Sequence, residues 1–129
     1  MLVDSSVWLS TDHIELALEV VGVKELAVCG PVIYEVLRGA RPGRFAATRR
    51  SLADVILLDD PTPVERYEEA AQLYRMLRSR GVTIRSPLDC VIAAVAMYHS
   101  VPVLHADHDF ELIARHAPFA ERDISSLVS

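Results

Sequence analysis

Only two cysteines, Cys29 and Cys90, occur in the 129 residues. Two are too few for a disulfide framework, and both sit in apolar surroundings, so reduced and buried thiols are expected. Long hydrophobic runs are missing too. The longest unbroken one, Cys90 to Tyr98, is far too short to span a bilayer. No basic segment followed by an apolar one marks a secretory leader. The expectation is therefore no membrane association and a cytoplasmic location. The sequence also lacks G-x-x-x-x-G-K-[ST], G-x-G-x-x-G and G-x-S-x-G. Phosphate cradling by a P-loop, dinucleotide binding and α/β-hydrolase chemistry thus lack their motifs. No CxxC or HExxH spacing supports a zinc site, although His105 and His108 flank Asp107.

The chain is 51% hydrophobic and 24% charged, which fits one domain with a sizeable core. Its net charge of −5 argues against a general nucleic-acid binder. The distribution of charge says something different. Lys24 is the single lysine, and the other twelve basic residues are arginine. From Val36 to Ala53 there are Arg38, Arg41, Arg44, Arg49 and Arg50 with no acid between them. From Gln72 to Ser86 there are Arg75, Arg78, Arg80 and Arg85, again with no acid. Solvated helix faces are the ordinary explanation for such runs. Helix faces usually mix signs, however, and a guanidinium suits bidentate contact with phosphate. The first cluster therefore reads as a phosphate-facing rim.

Turn signals and hydrophobic periodicity divide the chain into alternating strands and helices. Met1 to Asp4, Glu25 to Cys29, Val55 to Leu58 and Pro102 to His105 read as strands, with Arg122 to Ile124 a last edge strand. Ser5 and Ser6 are placed to cap a helix carrying Val7, Trp8 and Leu9. Asp12 to Val21 has a weak helical pattern that Gly22 ends. Gly30 and Pro31 open a helix stopped by Gly39. Arg44 to Ala53 is a further helix. Pro63 to Arg80 is a long one with Tyr67, Ala70, Ala71, Tyr74 and Leu77 on one face, ended by Gly81. Ser86-Pro87-Leu88-Asp89 reads as a helix start, with Ser86 as cap. That helix runs to about His99 and is apolar nearly all round, so it belongs at the centre. Asp109 to His116 is a short helix. Strand–helix alternation implies a parallel sheet with helices on both faces.

Five carboxylates stand out against this frame. Asp4 ends the first strand. Glu35 lies inside the third helix, on the face with Pro31 and Arg38. Asp89 begins the central apolar helix, and Asp107 and Asp109 follow the fourth strand. Each has an ordinary explanation: a cap for Asp4, a helix-dipole partner for Asp89, turn residues for Asp107 and Asp109, a solvated glutamate for Glu35. Open α/β sheets, however, gather ligands at the carboxyl ends of their strands. A shared site explains all five placements together. Acids packed this closely repel one another unless they bind cations, and all-oxygen donors suit Mg²⁺ or Mn²⁺. Two such cations are the usual apparatus for phosphodiester hydrolysis, with a basic rim to hold the backbone.

The stretches LVDSSVWL, CGPVIYEVLRG, RSPLDCVIAAVA and VLHADHDFELIA, in this order and register, resemble a PIN domain of the VapC toxin type. The resemblance implies a single domain over residues 1–129, a three-layer α/β/α sandwich with a mostly parallel central sheet. It implies a Mg²⁺- or Mn²⁺-dependent endoribonuclease that inhibits translation by cutting structured RNA, transfer RNA or ribosomal RNA. It further implies a VapB-type antitoxin partner and a homodimer. Carried over by position, Asp4, Glu35, Asp89 and Asp107 match the family's metal-binding and catalytic acids. Asp109 matches a further acid that supports a second metal, and Ser6 a hydroxyl partner of the first aspartate. Arg38, Arg41, Arg44 and Arg85 are the candidate RNA contacts. Two departures are visible: the segment after Trp8 is short for the family, and His105 replaces the arginine or threonine of many relatives.

Two other readings compete with this one. A phosphoacceptor signalling domain also gathers acids at strand ends, but it needs a lysine after a late strand. Lys24 is misplaced for that, and Asp59 would have to accept the phosphoryl group. A PIN-fold module that binds RNA or protein without catalysis is the other rival, and the full set of acids argues against it.

Overall fold

In the computed structural model, which describes residues 1–128, the apolar opening of the chain becomes β1 (Leu2–Val3), the middle strand of a five-stranded sheet. Its neighbours are β2 (Ala27–Val28) and β4 (Val103–His105), with β3 (Ile56–Leu57) and β5 (Glu121–Asp123) at the edges. The order is β3-β2-β1-β4-β5, and every pairing is parallel. Leu2 lies opposite both Ala27 and Val103, and Val3 opposite Leu104. The first four strands come where the sequence places them, shortened to two or three residues, and the last is shifted one residue earlier, with Ile124 outside it.

The helices are α1 (Ser5–Trp8), α2 (Thr11–Val20), α3 (Gly30–Arg38), α4 (Phe45–Ala53), α5 (Pro63–Ser79), α6 (Leu88–His99) and α7 (His108–Ala114). The chain travels one way along the sheet from β1 to β3, then returns past β2 and β1 to β4 and continues to β5. With right-handed crossovers, this reversal puts helices on both faces of the sheet. It also makes the gap between β1 and β4 the topological switch point. The expected α/β/α sandwich is thus present, with a sheet that is wholly parallel.

Helix α6 is the centre of the helical packing. Every residue from Asp89 to Ala96 is buried, as its all-round apolar sequence requires. At about 1.5–3 kcal/mol for each large aliphatic side chain removed from water, Val91, Ile92 and Val95 make α6 a major source of stability. Helix α5 packs along it. The buried stripe of α5 is Arg66, Ala70, Leu73 and Leu77 rather than the expected face through Tyr67 and Ala71. The cause is Arg66. Its guanidinium lies 4.0 Å from the ring centre of Tyr98 on α6 and pairs with Asp60, Glu65 and Glu69 at 3.2–3.5 Å. An arginine paired with this many charges can be buried, although Arg66 Nε and Asp60 Oδ2 face each other without forming a hydrogen bond. The helix is rotated accordingly, leaving Val64 and Tyr67 exposed.

Two further local expectations are corrected. The cap of α1 is Asp4, whose carboxylate accepts from the Ser6 N–H at 3.1 Å; neither Ser5 nor Ser6 caps it. Ser86 does not cap α6 through its side chain. Pro87 is the flanking residue, with helical dihedrals, and the Ser86 carbonyl accepts from the Asp89 N–H. The strand expected at Val55 to Leu58 is present as an edge strand, with Ile56 and Leu57 about half exposed. Gly81 does end α5 in the left-handed region, at φ +77°. Gly39 follows α3 with φ in the ordinary range, and a Cβ there would lie 3.1 Å from Leu9 Cδ2, the end of a half-exposed side chain.

Candidate metal centre

Backbone hydrogen bonding at the switch point brings the first acids together. The Asp4 N–H donates to the Leu104 carbonyl at 2.9 Å, so the chain leaving β1 is tied to the end of β4 just before Asp107. Trp8 Nε1 donates back to the Val3 carbonyl at 3.0 Å and fixes α1 against β1. Ser6 then bridges the two strand ends. Its hydroxyl donates to Asp4 Oδ2 at 2.6 Å and accepts from the Ala106 N–H at 2.9 Å.

Helix α3 turns Glu35 toward the same place. Glu35 lies on the face opposite solvent, 8% exposed, although the sequence pattern sets it apart from the core-facing positions. The face it occupies packs toward α1, where Ser5 donates its hydroxyl to Glu35 Oε1 at 3.2 Å. Ser5 is a site residue that sequence reasoning missed. Its only signal is its position beside Asp4. Asp89, the second residue of α6, is 2% exposed.

Two groups of acids result. Asp4, Glu35 and Asp89 can each offer one carboxylate oxygen with all three within 4.8 Å of one another. Asp89, Asp107 and Asp109 meet the same condition. Asp89 is shared between them. Asp4 Oδ1 and Asp89 Oδ2 are buried and have no hydrogen-bond partner. Buried carboxylate oxygens without a partner are costly, and a cation between them would supply the missing interaction. The donor set is oxygen throughout, which fits Mg²⁺ or Mn²⁺ better than a softer metal.

The electrostatics agree with this geometry. Burial pushes the Asp89 carboxyl up to about 9, helped by the charges of Asp4 and Asp107. Asp4 is raised mainly by burial, with the Ser6 hydrogen bonds opposing. Glu35 is raised by burial and then by Asp4. Such shifts mark groups held close without a counter-charge. Both thiols nearby are free and pushed up to about 11, Cys29 by burial with Asp4 and Glu35, Cys90 by burial with Asp89. They remain protonated and are poor ligands.

Asp107 and Asp109 are held by their own loop and by one arginine. Asp107 caps α7, accepting from the Asp109 N–H at 3.0 Å. Arg85 Nη2 donates to Asp107 Oδ1 at 3.1 Å, and the Arg85 N–H to Asp109 Oδ2 at 2.9 Å. His105, wholly buried, accepts from the Asp107 N–H through Nδ1 and pairs with Glu121 through Nε2. The residue that departs from the family pattern therefore braces the acidic loop against β5.

The predicted arginines separate. Arg38, Arg41 and Arg44 are exposed and form no ion pair among the described residues. The charge of Arg38 opposes, without cancelling, the rise at Glu35, and its guanidinium lies 5.8 Å from the ring centre of exposed Tyr34. Arg44 instead lines a hollow of about 580 Å³ with Trp8, Ile14 and Leu52, away from the acids. Arg85 lies on the acids themselves. Of the second arginine cluster, Arg78 contacts Tyr74 and Arg80 contacts His116, as solvated helix residues do.

The model of the PIN domain family matches residues 1–116. Ribonuclease VapC11 of Mycobacterium tuberculosis is 32% identical, over 89% of this chain and 92% of that protein. Ribonuclease VapC6 of the same organism is 37% identical over 70% and 72%. Among solved structures, DNA-bound VapBC from Salmonella typhimurium superposes with a TM-score of 0.70. It covers 95% of this chain and 96% of that one at 15% identity, so the likeness is one of fold. The chain belongs to the PIN-domain family, in its VapC branch.

Proposed function

We propose that the chain is a Mg²⁺- or Mn²⁺-dependent endoribonuclease, the toxin of a toxin–antitoxin pair. The observation that carries this reading is the pair of acid groups sharing Asp89, with orphaned oxygens on Asp4 and Asp89, at the switch point of the sheet. Asp4, Glu35 and Asp89 would hold one cation, and Asp89, Asp107 and Asp109 a second. Cations bound there supply the charge that activates an attacking water and steadies the leaving oxygen of a phosphodiester. Ser6 orients Asp4, and Ser5 orients Glu35, which holds metal or directs the water. Arg38 and Arg41 hold the RNA backbone beside the acids. The kinship with proteins named ribonucleases supports the activity, and transfer RNA or ribosomal RNA is the proposed target class.

A VapB-type antitoxin is the proposed partner, by analogy with the VapBC complexes of the same fold. The free protein is proposed to form a homodimer in the cytoplasm. Val64 and Tyr67, exposed on α5 and unused by the core, are the proposed contact. No described helix is long and apolar enough to cross a membrane. The test is cleavage of total bacterial RNA by the purified protein in Mg²⁺, in Mn²⁺ and in EDTA, with D4N as the control for contaminating nuclease. Discrete fragments that require both metal and Asp4 are expected. RNA binding without any metal-dependent cutting would leave only the non-catalytic module.

A further inference from the structure

Arg85 sits on the connector between α5 and α6, and its side chain is 78% exposed. Among the described residues it is the only cationic side chain ion-paired to any of the five acids. Its Nη2 reaches Asp107 Oδ1 at 3.1 Å, and its Nε lies 3.5 Å from Asp109 Oδ2. Its main-chain N–H separately holds Asp109 Oδ2 at 2.9 Å. The backbone is thus anchored to the second acid group while the guanidinium lies across the open side of that group. Asp89, which completes the group, is 2% exposed and has a buried oxygen without a partner.

A divalent cation among Asp89, Asp107 and Asp109 would draw on two carboxylates that the guanidinium already pairs with, at Asp107 Oδ1 and Asp109 Oδ2. It would also lie within a few ångströms of that positive charge, and the two repel strongly at such range. We propose that Arg85 is a resident counter-cation of the second acid group: it competes with the second divalent cation and is released toward RNA phosphate when that cation enters. The hydrogen bond from the main chain survives the exchange, so the side chain pivots about a fixed point. A freed guanidinium there presents its two-pronged donor set to a phosphodiester. The two cation sites are unequal as a result. The group of Asp4, Glu35 and Asp89, with no such competitor, fills first.

This inference rests on the metal-dependent reading above, and its test is read without catalysis. Mn²⁺ alone is titrated calorimetrically into the wild-type chain and into R85A. The wild type is expected to bind one cation tightly and a second weakly. In R85A the weak site tightens by roughly threefold to tenfold, the scale of a partly solvated ion pair, while the tight site is unchanged. R85Q makes the same comparison if R85A does not fold. An unaltered or lost second site, with the first intact, overturns this inference alone. Absence of Mn²⁺ binding by all of these proteins overturns it together with the metal-dependent reading.

Discussion

The Ser6 hydroxyl donates to Asp4 Oδ2 at 2.6 Å while accepting from the Ala106 N–H at 2.9 Å, so one oxygen joins the ends of β1 and β4. Removing it in S6A leaves the Ala106 N–H without a partner and Asp4 Oδ2 with the Ser6 N–H alone. The expected cost is about 1–3 kcal/mol of stability, for the polar group left unpaired. Metal affinity should fall roughly 10- to 100-fold, as when a ligand loses its outer support. Chemical denaturation and Mn²⁺ titration measure the two effects. S6T, which keeps the hydroxyl, should restore most of both. Unchanged Mn²⁺ affinity in S6A would reduce Ser6 to a structural residue.

Asp89 links stability to pH. Its carboxyl titrates near 3.8 in the unfolded chain and is pushed up to about 9 in the folded, metal-free one. The folded state therefore holds an extra proton between those values. The resulting stability is fully present below 3.8 and is lost as pH rises toward 9. In EDTA, the melting temperature should fall between pH 6 and pH 9. In D89N the fall should be smaller, and at pH 9 D89N should be the more stable protein. Metal binding should run the opposite way, with affinity rising over this range and about one proton released per cation. D89N should also cut no RNA. Parallel melting curves for the two proteins across this range would show that Asp89 is not the group that titrates.

The five acids were legible because the sequence marks strand ends clearly. Asp4 follows LV and Asp107 follows VLHA, and the parallel order then forces both to the switch point. Asp89 was legible for a similar reason, an acid opening an otherwise apolar helix. Glu35 was legible as a candidate but not as a buried group, because helical periodicity does not say that α1 will cover that face. The partners of the acids were less accessible. Ser5 and Arg85 are identified by contacts made across 30 and 22 residues of chain. The sequence sets Arg85 among the candidate phosphate contacts, and only the fold lays it across Asp107 and Asp109. The rotation of α5 had the same origin: a periodicity reading does not credit an arginine with a buried position, and Arg66 takes one by pairing with three acids and a tyrosine ring.

Ser100 ends α6 in the left-handed region at φ +55°, the only described non-glycine residue with positive φ. A side chain there is strained by roughly 1–2 kcal/mol relative to the right-handed region. S100G should remove most of that strain, offset in part by the greater freedom of glycine when unfolded. A net gain of about 0.5–1 kcal/mol is expected in chemical denaturation, with RNA cleavage unaffected because Ser100 lies at the opposite end of α6 from Asp89. A loss of stability would mean that the Ser100 side chain makes a contact worth more than the strain.

Arg38 and Arg41 should act on binding rather than on chemistry. Both are exposed and free of ion pairs among the described residues, and Arg38 lies one turn beyond Glu35 on α3. Contacts of this kind release counterions from RNA, so each contributes to the slope of binding against salt. In Ca²⁺, which is expected to fill the acid groups without supporting cleavage, R38A and R41A should each weaken RNA binding and lower that slope by about one. The double variant should do roughly twice as much. Arg44, which faces the hollow beside Trp8 rather than the acids, should have the smaller effect. A larger effect from R44A than from R38A would move the path of the RNA to the other side of α4. The rim would then have to be redrawn around that hollow.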